Sequence, residues 1–599
     1  MADPEECDRT AVLAVERSMT GRSWVRRLAP AEERTALALA QRHGLPHVVA
    51  SVLAGRGMTT ENAETELAPT MRALMPDPST LTDCDALVAR LADAVTAAEP
   101  VAIFSDYDVD GATAAAVVAR VLRAYGREPR VMIPDRVSDG YGPSVALMET
   151  LVADGARVVL CLDCGSGAIE PVAAAKAAGA DVLVIDHHPV DTLAAADAVV
   201  NPNRADDLSG LGHCAAVGVA FVAMVGLVRE LKRRGVAAPD GPPDLMALLD
   251  CVALGTVADV VPLSGLNRAF VRTGLQTFRR RGNRGLAALV TVARLGGPVD
   301  AEHLGYVLGP RINAGGRIGD SGLGARLLLT ENDAEAEEIA ATLDGLNADR
   351  RAMERRALEE AVAMADESAP VVVVAGDWHP GVVGLVAARL KERTRHPAIA
   401  IALGDGQGVG SGRSMPGVDL GAAIRKAAAD GLLVKGGGHP MAAGLTVEID
   451  KIPDLTSFLT AALGESVAEA AAADQLKIDA VVGLRALDVT LAQTLEAHGP
   501  WGSSRPKPVL ALDDVVLERV QPVGQGDSLR LTLRSLCGAR ATAMAFRAGG
   551  PLGARLKASA GEAVHLAVEL SHGVFRGEDR AEIIVLDAAA ANTAMQRAA

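Results

Sequence analysis

Three aspartates at alternate positions, Asp106, Asp108 and Asp110 in FSDYDVDGATAAAV (104–117), stand where an apolar run gives way to an alanine-rich one. Carboxylates this close repel one another, and the cost rises wherever water is partly excluded. A helix N-cap needs one carboxylate, so capping leaves the others unexplained and a cation is the natural complement. VIDHHP (184–189) adds Asp186, His187 and His188, and imidazole with carboxylate suits manganese and similar divalent ions. LGTVADVVPL (254–263) holds a lone acid, Asp259, in an otherwise apolar stretch; a buried acid needs a partner, and a metal ion is one. Asp163 lies in CLDCGSG between Cys161 and Cys164. No second CxxC completes a four-thiolate site, so the two thiols are read as packing.

The elements that position these groups follow from the alternation around them. Four short apolar runs, VAIFSD, RVMIPD, RVVLCLD and DVLVID, are separated by the helix-like segments ATAAAVVARVLRAYG, GPSVALMETLVADG and AIEPVAAAKAAG. That alternation is the pattern of βαβ units and a parallel sheet. Each run ends in aspartate, and in an open parallel sheet the crevice lies beyond the carboxyl ends of the strands. Asp106, Asp135, Asp163 and Asp186 are therefore expected along one edge, with Asp135 acting as an N-cap.

The whole chain must accommodate that sheet. Its 599 residues suggest three or four domains, and 49% hydrophobic residues can fill more than one core. The start, MADPEECDRT, lacks the apolar stretch of a signal peptide. The apolar stretch from Ala215 to Val228 is too short to span a bilayer and reads as a buried helix. Seven scattered cysteines fit reduced thiols in a cytoplasmic protein that does not meet a membrane. A net charge of −16 argues at first against a nucleic-acid partner. Basic clusters at 232–234, 279–284 and 350–356 serve equally as solvated faces or as backbone contacts. With 2% aromatic residues, a strand of bases could not be held chiefly by stacking.

Downstream, the polar segment 331–368 suits a long connecting helix, and PVVVVAGDWHPGVVGLVAARLKER followed by PAIAIAL reads as a second α/β lobe. A cleft between lobes is a usual substrate site. Two glycine-rich loops are candidates to line it: GSGRS (410–414), with Arg413 available for a phosphate, and GGGHPMAAG (436–444), whose backbone N–H groups can approach an anion beside His439. Ordinary turns account for such glycines equally well. From residue 475, five strand-like runs joined by turn residues suggest a small barrel.

DYDVDG, LDCGSG, DHHP and GTVADVVPL, in this order, resemble the motifs of the DHH phosphoesterase superfamily. The resemblance narrows to the RecJ family of single-strand-specific exonucleases through LAGRGMTTENAETELAPTMRALMPDPSTLTDCDALVARLADAV (53–95), LGPRINAGGRIGDSG (308–322) and LNADRRAMERRALEEA (346–361). It implies an α/β fold: a helical lead-in at 1–75, a parallel-sheet DHH domain at 76–330, a connecting helix at 331–368, a smaller α/β DHHA1 domain at 369–465, and an OB-like β-barrel at 466–599. The approach AHGPWGSSRPKPVLAL has SRPK where the family usually has asparagine-proline-glutamate, which affects only the domain junction.

Carried over residue by residue, the resemblance makes Asp108, Asp110, Asp163, His187 and Asp259 ligands of two divalent ions, Mn2+ or Mg2+, with Asp163 bridging and Asp106 auxiliary. It makes Asp186 the residue that orients His187, and turns His188 toward the phosphate. Arg311, Arg317, Ser411, Arg413, Gly437, Gly438 and His439 become substrate contacts, the serine-arginine pair holding a 5′-phosphate. Some small-substrate relatives carry a histidine where this chain has Phe104, which favours the RecJ branch. The implied activity is 5′-to-3′ hydrolysis of single-stranded DNA by a two-metal mechanism, in repair and recombination, with a single-strand binding protein and a recombination helicase as partners. Two alternatives stay open: a phosphodiesterase for short oligoribonucleotides or cyclic dinucleotides, and a non-catalytic scaffold.

Overall fold

The computed structural model describes residues 11–591 apart from 137, 141, 525–527, 549 and 576. The chain divides into two compact units, one of Met75–Pro262 with Ala269–Ala473, the other of Met1–Leu74 with Leu263–Arg268 and Asp474–Ala599.

In the larger unit, the four apolar runs form strands Val101–Ser105, Arg130–Met132, Val158–Leu162 and Asp181–Ile185, and a fifth strand, Ala198–Val200, joins them. All neighbours run parallel, with the 130s strand at one edge and the 198–200 strand at the other. The strands Val101–Ser105 and Val158–Leu162 are buried at every position, as a parallel sheet covered on both faces demands. Helix Val109–Ala124 follows the first strand, and helices Ala216–Arg233 and Leu249–Ala258 pack against it. Two glycines permit this. A Cβ on Gly111 would run into the carbonyl oxygen of Asp106, and one on Gly255 would strike Thr113 Oγ1. The stretch from Ala215 lies in a buried helix, and among the described residues no helix is long and apolar enough to cross a membrane.

Helix Asp333–Met364 runs for 32 residues from an Asn332 cap and leads to the second lobe of the same unit. This lobe has a mixed sheet in the order Lys435–His439, Ala442–Glu448, Gln407–Arg413, Ala398–Gly404, Val372–Gly376. The two glycine-rich segments expected as loops are strands. Their glycines admit side chains from neighbouring elements: a Cβ on Gly412 would lie 2.7 Å from Leu420, one on Gly410 2.8 Å from Leu445, and one on Gly436 2.8 Å from Leu433. Gly437 and Gly444, opposite each other in the register, face open space.

In the smaller unit, strands Leu510–Val523, Ser528–Ser535, Arg540–Ala545, Glu578–Ala590 and Ala563–Phe575 pair in sequence. Leu510–Val523 pairs back with Ala563–Phe575, closing a five-stranded barrel. The segment read as a lead-in folds onto this barrel. Strand Ser23–Arg26 pairs with Gln475–Ile478, and Leu39, Val49 and Leu53 share a core with Leu512, Leu531 and Leu566.

Candidate metal centre

Asp106 and Asp108 lie at the end of the first parallel strand, and Asp110 opens the helix that follows. Asp108 caps that helix, its Oδ1 accepting from the N–H groups of Asp110 at 2.8 Å and Gly111 at 3.1 Å. Asp110 is clamped differently: Oδ2 accepts from Ala216 N at 2.7 Å and Oδ1 from Val217 N at 2.9 Å, so it caps the buried helix Ala216–Arg233. Asp163 follows the strand Val158–Leu162 with φ of +58°, a left-handed conformation of the kind that clusters at functional sites. Asp259 is the C-cap that follows helix Leu249–Ala258.

His187 gathers these groups. Its Nε2 lies 3.4 Å from Asp163 Oδ1, 3.6 Å from Asp259 Oδ2 and 3.9 Å from Asp110 Oδ2. Its Nδ1 meets the Cys214 carbonyl at 3.2 Å. Donation to that carbonyl puts the proton on Nδ1 and leaves Nε2 as an acceptor aimed at the carboxylates. The resemblance assigned ring orientation of His187 to Asp186, and the structure places that carboxylate elsewhere. Asp186 Oδ1 accepts from the ring Nδ1 of His188 at 2.8 Å and from the backbone N–H groups of both histidines, while Oδ2 accepts from Ser166 N. The reason is geometric: the strand turns sharply after Asp186, and a carboxylate that caps this turn reaches the ring two residues on.

Two groups of acceptors result, Asp106–Asp108–Asp163 and Asp110–His187–Asp259, each within coordination reach of a common point, with Asp163 and His187 linking them. Burial pushes the Asp106 carboxyl up to about 7, aided by Asp108. It pushes Asp259 to about 7 for the same two reasons. Burial raises Asp110 and Asp163 well above the usual carboxylate range, aided most by Asp259 and by Asp110 respectively. Burial and the neighbouring His188 push His187 down to about 4. For Asp186, burial works upward, but the hydrogen bonds and charge of His188 outweigh it and hold the group at about 2. Burial pulls His188 down, yet the hydrogen bond and charge of Asp186 raise it on balance.

The residues fit divalent cations. Asp106 Oδ1, His187 Nε2 and Asp259 Oδ2 are buried acceptors with no hydrogen-bond partner, and an unsatisfied buried acceptor costs about 1–3 kcal/mol. Oxygen and imidazole donors in this mixture suit Mn2+ or Mg2+ rather than a thiophilic ion. The thiols stay out of it: Cys161 and Cys164 are buried, and Cys164 donates to the Leu162 carbonyl.

Beside this cluster stands a cationic one. Arg317 donates to the Gly381 carbonyl at 3.1 Å, tying the catalytic half to the second lobe. Burial and the charges of Arg136, Arg350 and Arg413 bring it down to about 10, against the pull of Asp108. Arg413 donates to Ser411 Oγ at 3.0 Å, and both lean on helix Pro380–Thr394, where a Cβ on Gly384 would sit 3.1 Å from that hydroxyl. Gly437, Gly438 and His439 lie on the edge strand, and Arg425 donates to the Gly438 carbonyl. Arg311 is already engaged, by Asp344 at 2.8 Å and the Val307 carbonyl at 2.7 Å.

Several site residues escaped the sequence reading. Arg136 stacks 4.8 Å from the ring centroid of Tyr107, and its charge acts on both Asp106 and Arg413; its position just beyond the second run was the available signal. Asp135, expected as a helix N-cap, instead caps a turn through Ser138 N. Asn203 donates to the His187 and Gly212 carbonyls, and Asn201 to Ser166 Oγ and the His188 carbonyl. The NPN that follows the fifth strand thus holds the histidine loop.

Comparison with known proteins gives matches along the chain. Residues 100–256 match the DHH family N-terminal domain, 368–465 the DHHA1 domain and 478–587 the RecJ OB domain. The single-stranded-DNA-specific exonuclease RecJ of Salmonella typhimurium is 35% identical over 538 residues, covering 84% of this chain and 92% of its relative. Its namesake from Bacillus subtilis is 33% identical over 518 residues, covering 84% of this chain but 64% of that longer protein. The crystal structure of RecJ from Thermus thermophilus in complex with Mn2+ superimposes with a TM-score of 0.75 at 27% identity, covering 94% of this chain and 78% of that one. The same protein in complex with Mg2+ gives 0.70.

Proposed function

The chain belongs to the RecJ family, and from that membership we propose that it is a metal-dependent exonuclease that hydrolyses single-stranded DNA from the 5′ end to mononucleotides. The observation that carries this reading is the pair of acceptor groups joined by Asp163 and His187 at the carboxyl edge of the sheet, opposite Arg136, Arg317 and Arg413.

Asp106, Asp108, Asp110, Asp163, His187 and Asp259 would hold two Mn2+ or Mg2+ ions, which when bound would supply Lewis acidity and lower the pKa of a water. The protein supplies the rest. Backbone N–H groups fix Asp108 and Asp110 before substrate arrives, and the Cys214 carbonyl fixes the His187 ring. The Asp186–His188 hydrogen bond holds the imidazole beside Asp163 and raises its basicity, placing the ring to meet a phosphate oxygen. Arg413 with Ser411, helped by Arg136, receives the terminal 5′-phosphate, and the open space at Gly437 lets the backbone of the strand pass close. His439 lies at the end of that glycine strand, and Arg317 ties the lobes together. Arg311, engaged with Asp344, shapes the wall.

The enzyme acts in the cytoplasm in DNA repair and recombination, with a single-strand binding protein and a recombination helicase as partners. Digestion of 5′- and 3′-labelled single strands with each metal tests the reading. Release of labelled mononucleotide first from the 5′ end, and none from duplex, is expected; release from the 3′ end, or activity on dinucleotides alone, overturns it.

A further inference from the structure

Aromatic residues are scarce in this chain, with 7 Phe, 4 Tyr and 3 Trp among 599 residues. One of them, Tyr306, is 82% exposed. A singly exposed ring needs no explanation. This one sits on a π-helical turn, His303–Leu308, a rare conformation that recurs at functional sites. The turn packs on the residues that carry the metal centre: a Cβ on Gly305 would meet Val257 at 3.3 Å, and one on Gly309 would meet Ala258 at 3.5 Å and Val109 at 3.9 Å. Val257 and Ala258 immediately precede Asp259, and Val109 lies between Asp108 and Asp110.

Val260, the residue after Asp259, shows a second anomaly. It is 68% exposed and has φ of +61°, a conformation that a β-branched side chain adopts only under constraint. The chain thus holds an aliphatic side chain in solvent, at a cost in backbone strain, next to a metal ligand. An exposed aromatic ring and an exposed strained valine on two packed elements at the rim of a phosphodiester-cleaving centre call for a flat apolar ligand. The nucleobase beside the cleaved phosphate is one.

We infer that Tyr306, on the turn packed against the helix that precedes Asp259, is the platform on which the base adjoining the scissile phosphate stacks. The inference rests on the proposed reading of the centre as a single-strand nuclease. It assigns one scarce stacking contact to the rim of the centre, where arginines and backbone groups supply the rest of the grip; a second exposed ring, Phe546, belongs to the smaller unit. Stacking on a π-face tolerates any base, so the platform registers the strand without selecting sequence.

The test uses 5′-phosphorylated single strands carrying 2-aminopurine at each of the first few positions, bound to the full chain without divalent ion. Fluorescence is expected to be quenched at one position by the wild type and by Tyr306→Phe, and not by Tyr306→Ala. With metal present, Tyr306→Ala raises KM by about 5-fold to 150-fold, the range for loss of one stacked base, with a smaller change in kcat. An abasic residue at the quenched position costs the wild type a similar factor and costs Tyr306→Ala little more. Because the side chain is mostly in solvent, the substitution leaves the melting temperature unchanged, which separates lost stacking from lost folding. Quenching and KM that survive Tyr306→Ala overturn the inference. Failure of the wild type to cut any single strand overturns the nuclease reading instead, while the fluorescence comparison still decides the role of Tyr306.

Discussion

His187 Nε2 stands 3.4 Å from Asp163 Oδ1, with the Cys214 carbonyl holding the opposite ring nitrogen. The contact joins the two acceptor groups of the centre, and neither partner is free to turn away: the imidazole is held by that carbonyl, and the carboxylate by a left-handed backbone at the strand end. Substitution at Asp163 should therefore remove both groups' shared edge at once. Alanine is a poor probe here, because it resists positive φ. Asp163→Asn keeps the backbone and should lower kcat/KM about 1,000-fold, equivalent to several kcal/mol of lost transition-state stabilisation, with normal circular dichroism. A folded variant with near-normal turnover would show that Asp163 is no bridge.

The terminal-phosphate pocket is read from the partners of Arg413. Its guanidinium is tied to Ser411 and to its own strand, so it is oriented, and among the described residues no carboxylate pairs with it. Arg413→Ala should weaken binding of 5′-phosphorylated strands about 10-fold to 100-fold, the loss of one charge-assisted hydrogen bond, and weaken 5′-hydroxyl strands far less. Arg311→Ala provides the contrast. Its fork is already used by Asp344 and Val307, so it should lower the melting temperature without discriminating between the two ends. Equal losses for both ends in Arg413→Ala would place that arginine on the backbone farther along.

Proton competition gives a pH prediction. Asp106 and Asp259 move from an ordinary value of 3.8 to about 7 in the metal-free fold. Between those limits the folded state binds more protons than the unfolded one, so these groups destabilise the metal-free protein progressively as pH rises from about 4 to 7. Metal ions need the same groups ionised. The Mn2+ affinity should therefore fall steeply below about pH 7, by about tenfold per pH unit for each proton displaced. Titration calorimetry in buffers of different ionisation enthalpy should register protons released on binding. Binding without proton release, at constant affinity from about pH 5 to 8, would mean the carboxylates are already ionised without metal.

The strand-aspartate pattern was legible because period, burial and strand ends leave local traces: four apolar runs became four parallel strands, and Asp106, Asp163 and Asp186 emerged at one edge. What the sequence concealed depends on distant partners. GSGR and GGGH read as turns because glycine is the strongest local turn signal. Here the missing side chains make room for Leu420, Leu445 and Leu433, which no local pattern announces. The resemblance implied that Asp186 orients His187, yet the turn after the strand brings it to the ring of His188. Leu39 and Val49 lie in helically patterned segments, but nothing in that pattern says that they pack with Leu531 and Leu566, some five hundred residues away.

The same partner dependence separates two aspartates that look interchangeable in DYDVDG. Asp106 Oδ1 is buried without a donor, whereas both oxygens of Asp110 accept from the opening N–H groups of helix Ala216–Arg233. Neutralising Asp106 removes repulsion from Asp108 and sacrifices little, so Asp106→Asn should raise the metal-free melting temperature by about 1 °C, the shift that about 1 kcal/mol gives in a unit of this size. Asp110→Asn relieves repulsion too, but its amide must point NH2 at one of two N–H donors. That leaves a buried donor unpaired at a cost of about 1–3 kcal/mol and should lower the metal-free melting temperature. Mn2+ should raise the wild-type melting temperature in proportion to the logarithm of its concentration, and both variants should blunt that rise. Thermal denaturation in chelator and in graded Mn2+ separates the effects. If the two variants shift the metal-free melting temperature in the same direction, helix capping by Asp110 does not govern its energetics, and charge crowding alone sets the stability of the centre.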